Sequence, residues 1–193
     1  MKLVGLVLVA AVAIGYLTGG RLSRLSALRI RFAPLAAVGL ALQLAGPSAP
    51  WGFVLLVMSF ICLAIFAIAN LRTTGFPLIL AGLLLNLVVI AVNGGMPVTR
   101  EAIVAADQAA NVRELADRSE AKHHLAGEDD RLLFLADAIG IAAPLRQVVS
   151  VGDVLAYAGV AVVVIAGMRT RPSEDDRGRC LGMSDGARSD GAA

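Results

Sequence analysis

The sequence predicts an all-α integral membrane protein, a bundle of about five transmembrane helices with one partly helical segment outside the membrane. The first observation is composition: the 193 residues are 58% hydrophobic and only 17% charged, and the mean hydropathy is +0.77. An ordinary soluble domain is far less apolar. The second observation is arrangement, because the apolar residues fall in five blocks and the polar residues 93–149 separate the fourth block from the fifth.

The five apolar blocks predict the five spans. They contain almost no charge and comprise residues 3–17, 32–45, 51–69, 76–92 and 151–168. A membrane-spanning helix needs about 20 mostly apolar residues, with a range of about 17 to 25. The last three blocks meet this length directly, and the first two meet it only with their flanking residues.

The charges of the connections predict an orientation. The connection between the first two blocks carries four arginines and no acid: Arg21, Arg24, Arg29 and Arg31. Arg72 lies in the third connection, and Arg169 and Arg171 follow the fifth block. Short loops rich in Lys and Arg stay in the cytoplasm. We therefore expect the N-terminus outside, the C-terminus in the cytoplasm and residues 93–149 on the extracytoplasmic side.

The first block also allows a different interpretation, a cleaved signal peptide. Lys2 precedes a short apolar run of small residues, as in a signal sequence. Cleavage would place the four-arginine connection outside the cell, against the charge rule. The charge pattern therefore favours a retained first helix.

These assignments divide the chain into four regions. Residues 1–92 form a four-helix transmembrane region and residues 93–149 an extracytoplasmic insert. Residues 150–168 form the fifth helix, and residues 169–193 form a cytoplasmic tail whose polar composition predicts disorder.

Two stretches of the insert carry structural signals. Residues 99–121 are rich in helix formers and pair Glu114 with Arg118 at a favourable spacing, which predicts a surface or interfacial helix. Residues 132–145 are largely apolar, with Asp137 near the middle. This run is short for a span, so a re-entrant or interfacial segment is favoured; if it did span, the tail would change sides.

The fourth helix ends in a motif with two interpretations, Asn93 followed by Gly94, Gly95, Met96 and Pro97. Glycine permits a positive φ and proline cannot continue helical hydrogen bonding, so the motif predicts a tight exit from the membrane. Alternatively, the glycine amides and the asparagine side chain line a ligand site.

Asn86 is seven residues before the end of that helix, on nearly the same face as Asn93. A polar side chain within a span tends to face the bundle interior. Hydrogen bonding to another helix explains such a residue without a ligand, and a share in a ligand site remains the alternative.

The only histidines of the chain, His123 and His124, follow Lys122. With the acids of the insert they supply enough donors for a metal site, but no His-x-x-x-His or Cys-x-x-Cys spacing supports one. We therefore predict no metal site, and we interpret the histidines as a solvated polar surface or as a contact with lipid headgroups.

Two acids border apolar sequence, Asp137 and Asp153. A buried acid in a membrane protein is a candidate proton carrier or general acid, because burial raises its pKa. Each also has a structural alternative. Asp153 stands three residues after Ser150 and can cap the fifth helix, and Asp137 can pair with a neighbouring cation of the insert.

Several classes of function have no motif here. No Ser-His-Asp signature, phosphate loop or nucleotide fingerprint is present. Cys62 lies in an apolar block and Cys180 in the tail, so neither a disulfide nor a metal framework is expected. We expect no cofactor and no nucleic-acid partner. The expected partners are membrane lipids, together with a protein partner or a second copy of the chain.

The chain resembles a bacterial multi-pass membrane protein family, domain of unknown function 5317. The resemblance extends over most of residues 1–168. Its matching features are Asn93 to Val98, the pair Lys122 and His123, residues 132–137 and residues 150–155. It implies a bacterial multi-pass membrane protein and implies no activity.

Three functional hypotheses follow. The first is a non-enzymatic membrane scaffold or accessory subunit, or a binder of lipid or a small ligand beneath the insert. The second is a small transporter or channel component, and the third is a membrane enzyme that uses His123 with an acid. The candidate ligand-binding residues are Asn86, Asn93, Gly94, Gly95, Lys122, His123, Asp137, Ser150 and Asp153.

Overall fold

Helices dominate the computed structural model, which describes residues 2–45, 51–112 and 122–170. The helices in these residues are α1 (Lys2–Leu17), α2 (Ala33–Ala45), α3 (Gly52–Ala69), α4 (Phe76–Asn93), α5 (Arg100–Ala105) and α6 (Val151–Arg169). Two short 3₁₀ turns add Leu22–Ala27 and Ala109–Asn111. Each of the five apolar blocks is helical, which confirms the helix predicted for it.

Three of these helices, α3, α4 and α6, are long and apolar enough to cross a membrane, while α1 and α2 are shorter apolar helices. Many apolar side chains of the helices point outward: Leu17 is 86% exposed and Leu44 76% exposed. A contiguous apolar exterior needs an apolar surrounding. The helices therefore indicate a membrane location.

The five apolar helices are neighbours in the order α2, α3, α4, α6 and α1. Leu3 N–H donates to Gln147 Oε1 over 2.8 Å at one end of α1, and Arg21 N–H donates to the Met168 carbonyl over 2.8 Å beyond the other end. Helix α1 therefore runs parallel to α6 over almost its full length. The end of the bundle where residues 93–149 attach is called the insert end below.

Helices α4 and α6 approach so closely that only glycine fits between them. A Cβ atom built on Gly82 would lie 2.7 Å from Ala156 N, and one on Gly152 would lie 2.6 Å from the Gly82 carbonyl oxygen. Real Cβ atoms do not approach that closely, so the backbones are in direct contact. Small residues permit such contacts between membrane helices.

The described residues of the insert form four short strands, which corrects the all-α prediction. Strands β1 (Met96–Val98) and β2 (His123–Leu125) pair in parallel, and β3 (Ile139–Ile141) and β4 (Gln147–Val149) pair antiparallel. Each strand has three residues. That is too few to show the alternation of apolar and polar residues from which a strand is predicted. A further parallel bridge joins Val98 to Asp137.

The helix predicted for residues 99–121 is interrupted in its first part, and residues 113–121 lie outside the described residues. Thr99 caps α5, its side chain accepting from Ala102 N–H, but the helix ends at Ala105. Asp107 then takes a left-handed φ of 55°, which a continuing helix does not allow. Strand β3 also lies against this helix, since a Cβ on Gly140 would be 2.7 Å from Ala105 Cβ.

Residues 132–145 form turns and strand β3, with no helix. The run packs on the bundle instead of crossing beside it: Leu132, Leu133 and Leu135 contact a buried cluster at the insert end. That cluster joins α3, α4, β1 and the insert through Leu56, Phe60, Val89, Ile90, Met96 and Ala136. Burial of these apolar side chains fixes the insert on α3 and α4.

Some predictions concern parts of the chain outside the described residues. They are the pair of Glu114 with Arg118, Cys180 and the disordered tail from residue 171. Cys62 is described, and it is a free thiol, partly buried in α3.

Candidate functional site

Most of the predicted site residues lie at the insert end, in three groups at the junction of α4, α6 and the strands. The first group ends α4. Gly94 takes a left-handed conformation with φ 73° and ψ 16°, and Gly95 N–H donates to the Ile90 carbonyl over 3.1 Å. This is the tight helix exit that the glycines predict.

Asn93 attaches the insert to this helix end. Its Nδ2 donates to the carbonyls of Val89 and Arg131, each over 2.9 Å, and its Oδ1 accepts from Arg131 N–H over 2.7 Å. The amide is thereby used on both its donor and acceptor sides. Asn93, Gly94 and Gly95 thus have structural roles that account for their positions.

The second group bridges α4 and α6. Asn86 Nδ2 donates to Asp153 Oδ1 over 2.8 Å, and Ser150 Oγ donates to Asn86 Oδ1 over 2.8 Å. Asn86 is 5% exposed and Ser150 is fully buried. Buried polar groups need such partners, so this network stabilises the helix pair. The helix-to-helix interpretation of Asn86 is confirmed.

The same residues begin α6. Asp153 N–H donates to Ser150 Oγ over 3.0 Å, and Ser150 N–H donates to Asp153 Oδ2 over 3.3 Å, which completes a capping box. The capping interpretation of Asp153 is therefore confirmed. Both of its carboxylate oxygens accept hydrogen bonds, one from the cap and one from Asn86.

The third group centres on Asp137, which the backbone of the insert holds next to β1. Asp137 N–H donates to the Pro97 carbonyl over 3.1 Å, and Thr99 N–H donates to the Asp137 carbonyl over 3.1 Å. The Asp137 side chain is 8% exposed, and its Oδ2 lies 3.5 Å from His123 Nε2. Its Oδ1 is buried without a hydrogen-bond partner among the described residues.

The pKa of Asp137 is raised to about 8, mainly by burial and then by repulsion from the Asp153 carboxylate, while the Lys122 ammonium opposes the rise. Burial also lowers the pKa of His123 to about 4, helped by the charges of Lys122 and His124. At pH 7 both side chains are therefore neutral. The pair can hold and exchange one proton, which is the chemistry of a general acid or a proton carrier.

The structure corrects the interpretation of the histidines as a solvated surface. Successive side chains of a strand point to opposite faces, so His123 meets Asp137 while His124 meets Asp130. His124 is 5% exposed, and its Nε2 lies 2.9 Å from Asp130 Oδ1. Asp130 Oδ2 accepts from Gly127 N–H over 2.8 Å, which fixes the following turn.

The nine predicted residues thus fall into a helix exit, a helix-bridging network and an acid–histidine pair. Lys122 belongs beside the third group, through its charge and through its carbonyl, which accepts from Met96 N–H over 2.8 Å. The sequence analysis did not predict the pair of Asp130 with His124. Within residues 2–45, 51–112 and 122–170, no three His, Cys, Asp or Glu side chains are placed to hold a metal ion.

Comparison with known proteins places these residues in a family context. A family model described as "Family of unknown function (DUF5317)" matches residues 22–165, which include all nine predicted site residues. A Thermotoga maritima protein, described as "Uncharacterized protein", is 33% identical over 129 residues, covering 64% of this chain and 71% of the relative. No solved structure matches the chain.

Proposed function

The chain belongs to the family of unknown function DUF5317, and we propose that it is a bacterial five-span membrane protein that binds a small polar ligand beneath its insert. The observation that carries this proposal is the environment of the Asp137 carboxyl group. This group is buried, it lies 3.5 Å from His123, and its Oδ1 has no partner among the described residues. A buried oxygen without a partner costs roughly 1–3 kcal/mol, and a bound ligand that donates a hydrogen bond removes this cost.

The positions of the helix ends support the proposed five spans. Helix α6 has span length, and α1 runs beside it from Leu3, bonded to Gln147, to Arg21, bonded to Met168. The two helices therefore cover nearly the same depth. The start of α2 is level with the end of α3, because Asn70 exchanges hydrogen bonds with the backbone of Arg31 over 2.8 and 2.9 Å.

In the orientation we propose, the insert end faces outward. The opposite end has the arginines of the first and third connections and Arg169 at the end of α6, and such residues remain cytoplasmic. The N-terminus is then outside and the C-terminus inside. A ligand beneath the insert would arrive from the extracytoplasmic side or from the outer leaflet.

Transport is the second candidate, and the protonatable pair of Asp137 and His123 favours it. The candidate site residues of α4, α6 and the insert, however, lie at the insert end only. Residues 76–85 of α4 and residues 158–168 of α6, which continue toward the opposite end, contain no polar side chain. A pathway for ions needs polar groups or water across the whole bilayer. A binding site at the insert end therefore agrees better with these helices than a complete pathway.

The ligand proposal is tested by identifying small molecules that copurify with the full-length protein in a mild neutral detergent. Mass spectrometry of the extract is compared for wild type, Asp137→Ala and Glu128→Gln. Glu128 is an exposed acid of the insert, so its substitution serves as the matched control. We expect one class of lipid or metabolite to be retained by wild type and the control and lost from Asp137→Ala.

The fold of each variant is checked by its melting temperature in the same detergent. Asp137→Asn is included because it keeps the neutral side chain and its size, so it tests the site without a cavity. Identical extracts from all four proteins, all of them folded, would refute the proposed ligand site. A flux of protons into proteoliposomes that Asp137→Asn abolishes would support the transport candidate instead.

A further inference from the structure

A polar cleft of about 240 Å³ lies at the end of the bundle opposite the insert. Thr18, Gly19, Arg24 and Arg169 line it, where the chain leaves α1 and where α6 ends. It belongs to a different end of the molecule from Asp137 and His123. Its chemistry is cationic, whereas the insert end combines acids with histidines.

The walls of the cleft are held by contacts of the main chain. Arg21 N–H donates to the Met168 carbonyl and Gly20 N–H to the Gly15 carbonyl, each over 2.8 Å. A Cβ on Gly20 would lie 2.8 Å from Met168 Cβ, so the two chain segments touch directly. The cleft is therefore formed before any ligand arrives, which lowers the entropic cost of binding.

The cationic side chains of the cleft have no anionic partner in the described part of the chain. Arg24 Nη1 makes one long hydrogen bond, 3.5 Å to the Met168 carbonyl, and no hydrogen bond or ion pair of the Arg169 guanidinium is found among the described residues. The first 100 residues of the sequence contain no acid at all. Two guanidinium groups with no carboxylate beside them among the described residues favour an anion, and phosphate matches the fork of donors that a guanidinium presents.

We propose that Arg24 and Arg169 bind a phosphate group in this cleft, carried either by a phospholipid headgroup or by a soluble phosphate. The surrounding surface favours the lipid. Leu17 is 86% exposed and Leu22 47% exposed beside the cleft, and they offer an apolar surface to acyl chains. A headgroup bound here would connect the bundle to the leaflet at the end opposite the insert.

The test uses full-length protein in a neutral detergent and a short-chain fluorescent phosphatidylglycerol, whose binding is followed by fluorescence anisotropy. Each basic residue near a lipid headgroup contributes about 1 kcal/mol, equivalent to about a fivefold change in Kd. We expect Arg24→Gln and Arg169→Gln each to weaken binding about fivefold. Arg29→Gln, an exposed arginine of the same connection that does not line the cleft, should leave the Kd unchanged.

Arg169→Gln keeps the test valid if Arg24→Gln loosens the fold, because no described contact depends on the Arg169 side chain. Equal weakening in all three variants would indicate a diffuse positive surface and overturn the proposal. So would unchanged binding in both cleft variants.

Competition distinguishes the two sources of the phosphate group. Inorganic phosphate is added at constant ionic strength, with chloride as the control anion. Displacement that depends on Arg24 and Arg169 and needs a large excess of phosphate identifies the lipid as the ligand. Displacement at phosphate concentrations close to those of the lipid identifies a soluble phosphate. No displacement beyond the chloride control would show that the cleft does not recognise phosphate.

Discussion

Asn86 on α4 donates a hydrogen bond over 2.8 Å to the carboxylate of Asp153, the residue that also caps α6. One carboxylate thus serves two purposes, since it starts a helix and joins that helix to its neighbour. Ser150 closes the network by donating to Asn86 Oδ1 over 2.8 Å. Because the three residues are bonded to each other, the position of α6 beside α4 and the start of α6 depend on the same side chains.

Replacement of Asn86 by alanine removes both interhelical hydrogen bonds of this network. Buried Ser150 Oγ and the Asp153 carboxylate then lose a partner, and we expect a loss of about 1–2 kcal/mol in the free energy of unfolding. Unfolding in mixed detergent micelles measures it. Gln43→Ala, in α2, is the control because no hydrogen bond of the Gln43 side chain is found in the described structure. Equal stability of the two variants would contradict the role assigned to Asn86.

The close contact of α4 with α6 makes Gly152 intolerant of any side chain. A Cβ there would lie 2.6 Å from the Gly82 carbonyl oxygen and 2.7 Å from Asn86 Cγ. Gly152→Ala must therefore separate the helices, with an expected cost of about 1–3 kcal/mol, as for other overpacked interiors. Gly5→Ala is the matched control, because a Cβ at Gly5 meets nothing within 4 Å. Thermal unfolding of both variants in detergent measures this cost. A Gly152→Ala variant as stable as Gly5→Ala would show that the contact between α4 and α6 can relax.

The pair of Asp137 and His123 predicts how stability depends on pH. The folded protein holds the Asp137 proton up to about pH 8, whereas an unfolded Asp releases it near 3.9. The contribution of Asp137 to the free energy of unfolding therefore falls as the pH rises from about 3.9 to about 8. The pKa of His123 is about 4 in the folded protein and 6.5 when unperturbed. Its contribution to the free energy of unfolding therefore rises between about pH 4 and pH 6.5. The two effects oppose each other below pH 6.5, and only the loss due to Asp137 continues from 6.5 to 8.

Between pH 6.5 and 8 the loss amounts to about 2 kcal/mol, since one pKa unit corresponds to about 1.4 kcal/mol. Melting temperatures of wild type, Asp137→Asn and Glu128→Gln across pH 5–9 measure it. We expect wild type and Glu128→Gln to lose stability above pH 6.5 and Asp137→Asn to remain nearly flat there. A wild-type profile that is flat from 6.5 to 8 would mean that Asp137 is ionised in the folded protein at neutral pH.

The local elements could be predicted because their causes are local. Uninterrupted apolar residues make a helix, Gly94 ends one, and the spacing of Ser150 and Asp153 starts another. The partners of Asn86 and Asp137 could not be predicted. Asn86 meets a residue 67 positions away in sequence, and a contact of that kind depends on which helix packs beside which.

The insert was the least predictable region, for the same reason. The composition of residues 99–121 favours helix, but α5 ends at Ala105, where Asp107 takes a left-handed φ and the strand of Gly140 packs against the helix. Tertiary packing overrides helix propensity, whose contribution per residue is small. The burial of His124 likewise depends on Asp130 and on a strand of only three residues.

The proposed orientation predicts which connections a membrane-impermeant thiol reagent can reach in intact cells. Single cysteines replace Glu128 in the insert and Thr74 between α3 and α4, both of them exposed residues, in a background without Cys62 and Cys180. Because the insert end faces outward in our proposal, Glu128→Cys should react in intact cells. Thr74→Cys should react only after the membrane is permeabilised. The reverse pattern would place the insert and the Asp137 site in the cytoplasm. Labelling of both in intact cells would place the two positions on the same side of the membrane. Since α4 lies between Thr74 and Glu128, α3 and α4 would then not both cross the membrane.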